Sequence, residues 1–136
     1  MKSPNIEMSS FGFLSALVLV MSTSSAAVIA APNNALSGSE VVALLSGNTY
    51  QGKHSVRGFD VDMFVSADGT VMEKRGEKLI PGKWSVDGKG RFCWEISTAD
   101  KRWCRWVVKT GDNQYAKLKD DGKEVRRFKV VEGKAF

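Results

Sequence analysis

The sequence has one histidine and two cysteines, and each scarcity closes a class of function. A lone imidazole, His54, cannot build a His-rich metal centre. It stands in the polar stretch Gln51 to Arg57 and reads as a surface loop residue, with no partner motif to make it a base beside a serine. Asp60 and Asp62 lie two apart, on one strand face. Paired carboxylates can do acid–base work or hold a cation, but the solvated outer face of a strand accounts for them. Neither they nor Asp68 match calcium-loop spacing. There is no recognisable nucleic-acid-binding motif. The expectation is therefore a protein that is not an enzyme, with no catalytic residue, no metal and no cofactor, and with no nucleic acid among its partners.

Long apolar runs are also scarce. Phe11 to Ala31 is free of charge, but its densest part, Phe11 to Met21, is shorter than the roughly 20 residues that cross a bilayer as a helix. Ser22 to Ser25 interrupt it, and Val28-Ile29-Ala30 fits the small-residue pattern ahead of a signal-peptidase cut. Residues 1–30 are expected to be a signal peptide cut after Ala30. With no cysteine at the cut, no lipoprotein is expected. Glu7 is unusual in such a leader; a start at Met8 would leave no positive charge ahead of the apolar stretch. Residues 31–38 read as a flexible lead and 39–136 as a single domain. The expected location is the periplasm or the exterior, with no transmembrane segment once the leader is removed.

What is present centres on the two cysteines. Cys93 and Cys104 lie in adjacent aromatic segments, Arg91 to Ile96 and Arg102 to Val108, separated by the polar run Ser97 to Asp100. Folded about that run, one register sets Cys93 opposite Cys104, Trp94 opposite Trp103 and Glu95 opposite Arg102. A disulfide, an aromatic pair and an ion pair then form together, and two cysteines in an exported chain most simply bond to each other. Directly opposed Cβ atoms come closest in non-hydrogen-bonded pairs, which a disulfide needs. A four-residue loop closed by Ile96 and Lys101 supplies that pairing. The faces are less clear: Phe92, Trp94 and Ile96 share one, yet Trp106 and Val108 lie on the Cys104 side. Either a bulge changes the phase or both faces are partly covered.

Elsewhere, Ser37 with Glu40 three residues on is a capping box ahead of Val41, Val42, Leu44 and Leu45, and Gly47 can end the turn. One short helix is expected at 39–46, plugging one end of a sheet. Beyond Asn48, turn signals recur about every ten residues, among them Asp68-Gly69, Ile80-Pro81-Gly82 and Asp121-Gly122. Val61, Met63 and Val65 alternate with Asp60, Asp62 and Phe64, as a strand with one buried face does. Val125, Phe128 and Val130 alternate less cleanly, suggesting a bulge. Eight strands are expected near 49–53, 58–66, 70–77, 82–86, 91–96, 101–109, 114–119 and 123–131. Closure removes exposed edges, so the fold class is all-β: a small antiparallel up-and-down barrel with one short N-terminal helix, lipocalin-like in its strand number, with a sandwich as the alternative. An eight-stranded barrel holds side chains or one small ligand.

Charge is uneven. Residues 31–99 carry 8 Lys/Arg and 8 Asp/Glu, whereas residues 100–136 carry 11 and 6. A basic edge can meet anionic surface polymers, lipid headgroups or an acidic protein; the plainer reading is a solvated strand face. Trp84, Trp94, Trp103 and Trp106 can fill a small core or line a pocket. Trp103 and Trp106 differ in strand phase, so Arg102, Trp103, Arg105 and Trp106 form the candidate binding surface.

The order Leu45-Ser46-Gly47-Asn48-Thr49, Asp68-Gly69-Thr70, Gly82-Lys83-Trp84-Ser85-Val86, Phe92-Cys93-Trp94 and Trp103-Cys104 resembles a group of small exported alphaproteobacterial proteins of unknown function. More distantly, the chain is similar to the periplasmic barrel inhibitors of bacterial metalloproteases, which also join an eight-stranded barrel to one disulfide. The resemblance implies a fold and no catalytic residues. The leading expectation is an exported, non-enzymatic binding module for an unknown ligand or envelope protein. The alternatives are a protease inhibitor acting through its lead segment, and an envelope-associated structural or stress protein held to anionic polymer by the C-terminal charges.

Overall fold

A computed structural model describes residues 30–136; apart from Ala30, the expected signal segment lies outside the described residues. Helix α1 spans Gly38–Leu45. The Ser37 hydroxyl accepts from the Glu40 amide at 3.2 Å, and the Glu40 carboxylate accepts from the Ser37 amide at 3.1 Å. The expected capping box thus satisfies donors at each end of the first turn. Hydrogen bonding from the Ser37 amide and then from its side chain holds the Glu40 carboxyl below its ordinary pKa.

Eight strands follow: β1 Asn48–His54, β2 Asp60–Val65, β3 Thr70–Arg75, β4 Lys78–Val86, β5 Phe92–Ile96, β6 Arg102–Gly111, β7 Gln114–Leu118 and β8 Glu124–Glu132. Each pairs antiparallel with the next, and β1 pairs with β8, so the sheet closes as an up-and-down barrel. The loops after β1, β3, β5 and β7 gather at one end. The helix caps the other, where the Gly47 amide donates to Val65 and the Asn48 side chain donates to Leu44. There Val41 and Leu45 join Val65, Val71, Phe92 and Val107 in a continuous apolar core. Among the described residues no helix is long and apolar enough to cross a membrane.

The cysteine hairpin adopts the expected register: Cys93 opposite Cys104, Trp94 opposite Trp103, Glu95 opposite Arg102. The disulfide joins Cα atoms 4.0 Å apart, the short spacing of a non-hydrogen-bonded pair. The connection is looser than a four-residue loop, since pairing stops at Glu95–Arg102 and the Ala99 amide turns back to Ile96. The two-phase pattern of β6 arises because both faces are covered. Trp103, Arg105 and Val107 point into the barrel, while Cys104, Trp106 and Val108 lie outside under other segments. β5 pairs with β6 only as far as Arg105. Past that point the lead segment takes over: Ala35 bridges Val108, and the Leu36 amide donates to the Val107 carbonyl at 2.8 Å. Residues 35–36 thereby fill a seam that the short β5 leaves open.

Two local details differ from expectation or refine it. Ile80-Pro81-Gly82 is no turn; it lies inside β4, and the chain reverses instead at Gly76–Glu77, where Gly76 has φ +57°. Ile80 is buried in the core. Gly82 is needed for close strand approach, because a Cβ there would meet the Glu95 carbonyl. The bulge in the last strand sits at Val125, between the Lys117–Arg126 and Leu118–Glu124 pairs. That extra residue restores the phase, so that Arg126, Phe128 and Val130 all face inward.

Candidate functional site

The open end of the barrel leads into a lumen of about 490 Å³, within the usual range for a small-molecule site. Its wall is aromatic. Trp94 stacks on Trp103 with centroids 5.8 Å apart and on Phe92 at 5.3 Å. Trp94 is 8% exposed and Trp103 half-buried at the rim. Lys101 lies 5.7 Å from the Trp103 ring, and Arg75 lies 5.7 Å from Phe59. The lining carries Arg57, Arg75, Lys101, Arg105, Lys119 and Arg126 against a single carboxylate, Glu73.

Beneath that wall sits a buried polar cluster. Lys117 is fully buried, and its Nζ donates to the Tyr50 hydroxyl at 2.6 Å. The same Nζ lies 4.0 Å from the Trp94 ring and 3.9 Å from that of Tyr50. The Tyr50 hydroxyl also accepts from Arg126 Nη1 at 3.4 Å and donates to Met63 Sδ at 3.2 Å. Burial pulls the Lys117 ammonium well below its ordinary pKa, with Arg126 and Arg105 adding repulsion and Glu73 opposing it. Burial likewise pushes the Tyr50 phenol up to about 12, so it stays protonated. Arg126 is 7% exposed and Glu73 is 1% exposed.

Two of the lining residues carry a buried polar atom that lacks a hydrogen bond: Glu73 Oε2 and Arg105 Nε. Arg75 Nη2 stands 3.3 Å from each Glu73 oxygen but bonds only Oε1. Arg105 spends Nη1 on the Cys104 carbonyl. A buried donor without an acceptor is costly, as is a buried carboxylate oxygen held by an ion contact alone.

The residues expected at a binding surface divide between two faces. Trp103 and Arg105 line the lumen. Arg102 is exposed on the outside and donates to Ser85 at 3.2 Å. Trp106, expected to be partly exposed, is 2% exposed on the outer wall. The reason is the β7–β8 turn, which folds over it so that Asp120 accepts its indole N–H at 3.1 Å and also binds Arg91. The four side chains therefore form no single patch. Asp60 and Asp62 lie on the outer face, with Asp60 3.8 Å from Lys53. His54 borders the lumen rather than a free loop. It stacks on Phe59, and its Nδ1 accepts from the Val56 and Arg57 amides. Partial burial and nearby Arg126, Arg57 and Arg75 hold its pKa below the ordinary value.

Glu73, Lys117 and Arg126 escaped the sequence reading because charged positions on strands were taken to face solvent. Their phase gives them away. Glu73 follows Val71 by two, Lys117 follows Tyr115 by two, and Arg126 precedes Phe128 by two. A broader depression of about 570 Å³ lies outside near Pro81 and Asp100. It is open to solvent and gathers no buried charge, so the lumen is the stronger candidate.

Neither a family model, a curated protein nor a solved structure matches the chain. What the structure shows of the resemblance is its architecture, a small eight-stranded antiparallel barrel with an aromatic cluster and a disulfide; no kinship is shown.

Proposed function

We propose that this chain is an exported, non-enzymatic binding module that takes a small molecule in the lumen of its barrel. One observation carries the reading: Glu73 and Arg105, each with a buried polar atom that lacks a hydrogen bond (Oε2 and Nε), line a cavity walled by Trp94 and Trp103. The opposite end is sealed by α1, so stability is concentrated away from the opening. The groups whose titration is displaced furthest, Lys117 and Tyr50, sit behind Trp94 rather than in the lining, which suits holding a ligand better than turning one over. The disulfide and the lack of a long apolar helix among the described residues are compatible with a periplasmic or secreted location.

Amide chemical-shift mapping tests this, using compounds that raise the melting temperature of the oxidised chain. Perturbations centred on Glu73, Trp94, Arg105 and Arg126 are expected. Perturbations confined to the outer strand faces, or no stabilising compound in a broad small-molecule panel, would overturn it. The protease-inhibitor alternative draws less support, because Ala35 and Leu36 are hydrogen-bonded or bridged to β6 instead of projecting. The polymer-binding alternative is weakened because Arg105, Lys117 and Arg126, part of the basic C-terminal third, are turned inward.

A further inference from the structure

The geometry points to a planar organic anion as the ligand of this lumen: a ring bearing a carboxylate, sulfonate or phosphate and, close to it, an N–H or O–H donor. This rests on the reading of the lumen as a binding site and names what that site selects.

Three independent features converge on this chemistry. The first is charge. A confined space that brings together six arginine and lysine side chains and one carboxylate carries a strong positive potential, which low-dielectric walls focus inward. An anion entering it gains most where a donor is already desolvated, and the Arg126 guanidinium is almost entirely buried. The second is the pair of unmet polar atoms. The Arg105 guanidinium has an Nε without an acceptor, which an anionic group supplies; Glu73 Oε2 has the Arg75 ion contact but no hydrogen bond, which a ligand amine or hydroxyl supplies. A simple inorganic anion meets the first need and is repelled by the second. The third is the wall. Trp103, half-buried at the rim and within 22° of parallel to the Trp94 ring beneath it, offers flat apolar surface beside the cations, which a ring can cover. Neutral apolar compounds would leave the cations and both polar atoms unpaired. Phosphate alone would leave the tryptophans bare.

A matched pair of fluorescent probes separates these contributions. 8-Anilino-1-naphthalenesulfonate carries the ring, the N–H and the anion, whereas N-phenyl-1-naphthylamine is the same framework without the sulfonate. The oxidised chain is expected to bind the sulfonate with energy transfer from its tryptophans, at least tenfold more tightly than the neutral amine. Arg105→Gln and Arg126→Gln should each weaken the sulfonate about tenfold and leave the neutral probe unchanged. Arg105→Lys and Arg126→Lys should retain most of the binding. Arg127→Gln is the control: Arg127 is the next residue, but it faces solvent and pairs with Glu124, so no change is expected. Near-UV circular dichroism checks that each variant keeps native packing. If the glutamine variants do not fold, salt titration of the unaltered chain replaces them; sulfonate affinity must fall with salt while the neutral probe holds.

Equal affinity for the two probes, with no effect of the substitutions or of salt, refutes the anion assignment and leaves the binding-module reading standing. So does failure of both probes when another compound meets the shift-mapping criterion. If no compound meets that criterion, both readings fall together.

Discussion

Replacing Lys117 by methionine should make this protein more stable, and the reason is visible in the buried cluster. Lys117 is fully enclosed between the rings of Tyr50 and Trp94, with one hydrogen bond, to Tyr50. An ammonium taken out of water costs several kcal/mol even after relaxation. One hydrogen bond and four aromatic rings within about 6 Å, those of Tyr50, Trp94, Phe92 and Phe128, recover only part of it. Methionine is close in volume, flexible and at ease against aromatic rings. The neighbours survive the change: Tyr50 still accepts from Arg126 and donates to Met63, and Glu73 still has Arg75 at 3.3 Å. Lys117→Met should therefore gain about 1–3 kcal/mol, seen as a melting temperature higher by roughly 4–8 °C per kcal/mol for a domain near this size.

The gain must also depend on pH in one direction. The folded ammonium has a pKa well below 10.5, whereas the unfolded chain keeps the ordinary value. Between those two values the unfolded state binds more protons, so raising the pH stabilises the unaltered protein, at up to about 1.4 kcal/mol per pH unit. The methionine variant lacks this slope, so the gap between the two should shrink as pH rises toward 10.5. Tyr50 acts in the opposite sense: its folded pKa is about 12 against an ordinary 10, so its contribution is present below pH 10 and is lost above it. Guanidinium unfolding from pH 7.5 to 9.5, above the His54 titration and below that of Tyr50, isolates the lysine. A variant that is less stable by more than 1 kcal/mol, with a gap that does not move with pH, would show that the cation supports the fold and would sink the reasoning.

Three other perturbations probe the frame. Changing Cys93 and Cys104 together to alanine opens a loop with a sequence separation of 11 and should cost about 3 kcal/mol in chemical unfolding; a loss under 1 kcal/mol would mean the hairpin holds without its bond. Gly82→Ala drives a Cβ into the Glu95 carbonyl and should lower stability by about 1–3 kcal/mol, with amide shifts confined to β4 and β5; a neutral outcome would mean that the strands can part freely there. Ser37→Ala removes the acceptor for the Glu40 amide and should cost about 1 kcal/mol, with faster hydrogen exchange in α1 as the local readout; unchanged exchange would deny the cap its role.

The frame was legible in the sequence because its signals are local. Ser37 and Glu40 announce the helix, the Asp-Gly pairs announce turns, and the cysteines pin one register. The turn placed at Pro81 was misread because proline and glycine together usually break a strand; here Gly82 serves close packing and the reversal belongs to Gly76. The site was harder to see. Trp103 and Arg105 were singled out, but as a surface patch with Arg102 and Trp106, and strand alternation sends those pairs to opposite faces. Lys117 and Arg126 come from β7 and β8, and Glu73 from β3; nothing in chain order brings them together until the barrel closes. The bulge at Val125 hides Arg126 further, since it breaks the period by which an inward position is recognised.

Closure also explains why the disulfide lies where it does. β5 and β6 contribute Phe92, Trp94, Trp103 and Arg105 to the interior, among them both tryptophans that line the lumen. A slip of one residue between two strands would exchange their faces, sending those side chains outward and Cys93 and Cys104 inward. Such slips are resisted most where an apolar face pays a large penalty for exposure. An interior lined by arginine, lysine and glutamate penalises them less than the apolar end under α1 does. A covalent bond on the outer face, across the very pair of strands that carries the tryptophans, fixes the register without occupying the lumen. The bond is then as much a device for preorganising the site as for stabilising the fold. Reduction should accordingly loosen the Trp94–Trp103 stack before the helix-capped end gives way. Near-UV circular dichroism of the reduced chain, followed alongside hydrogen exchange at Val41 and Leu45, checks that order; simultaneous loss of both would make the bond a simple staple.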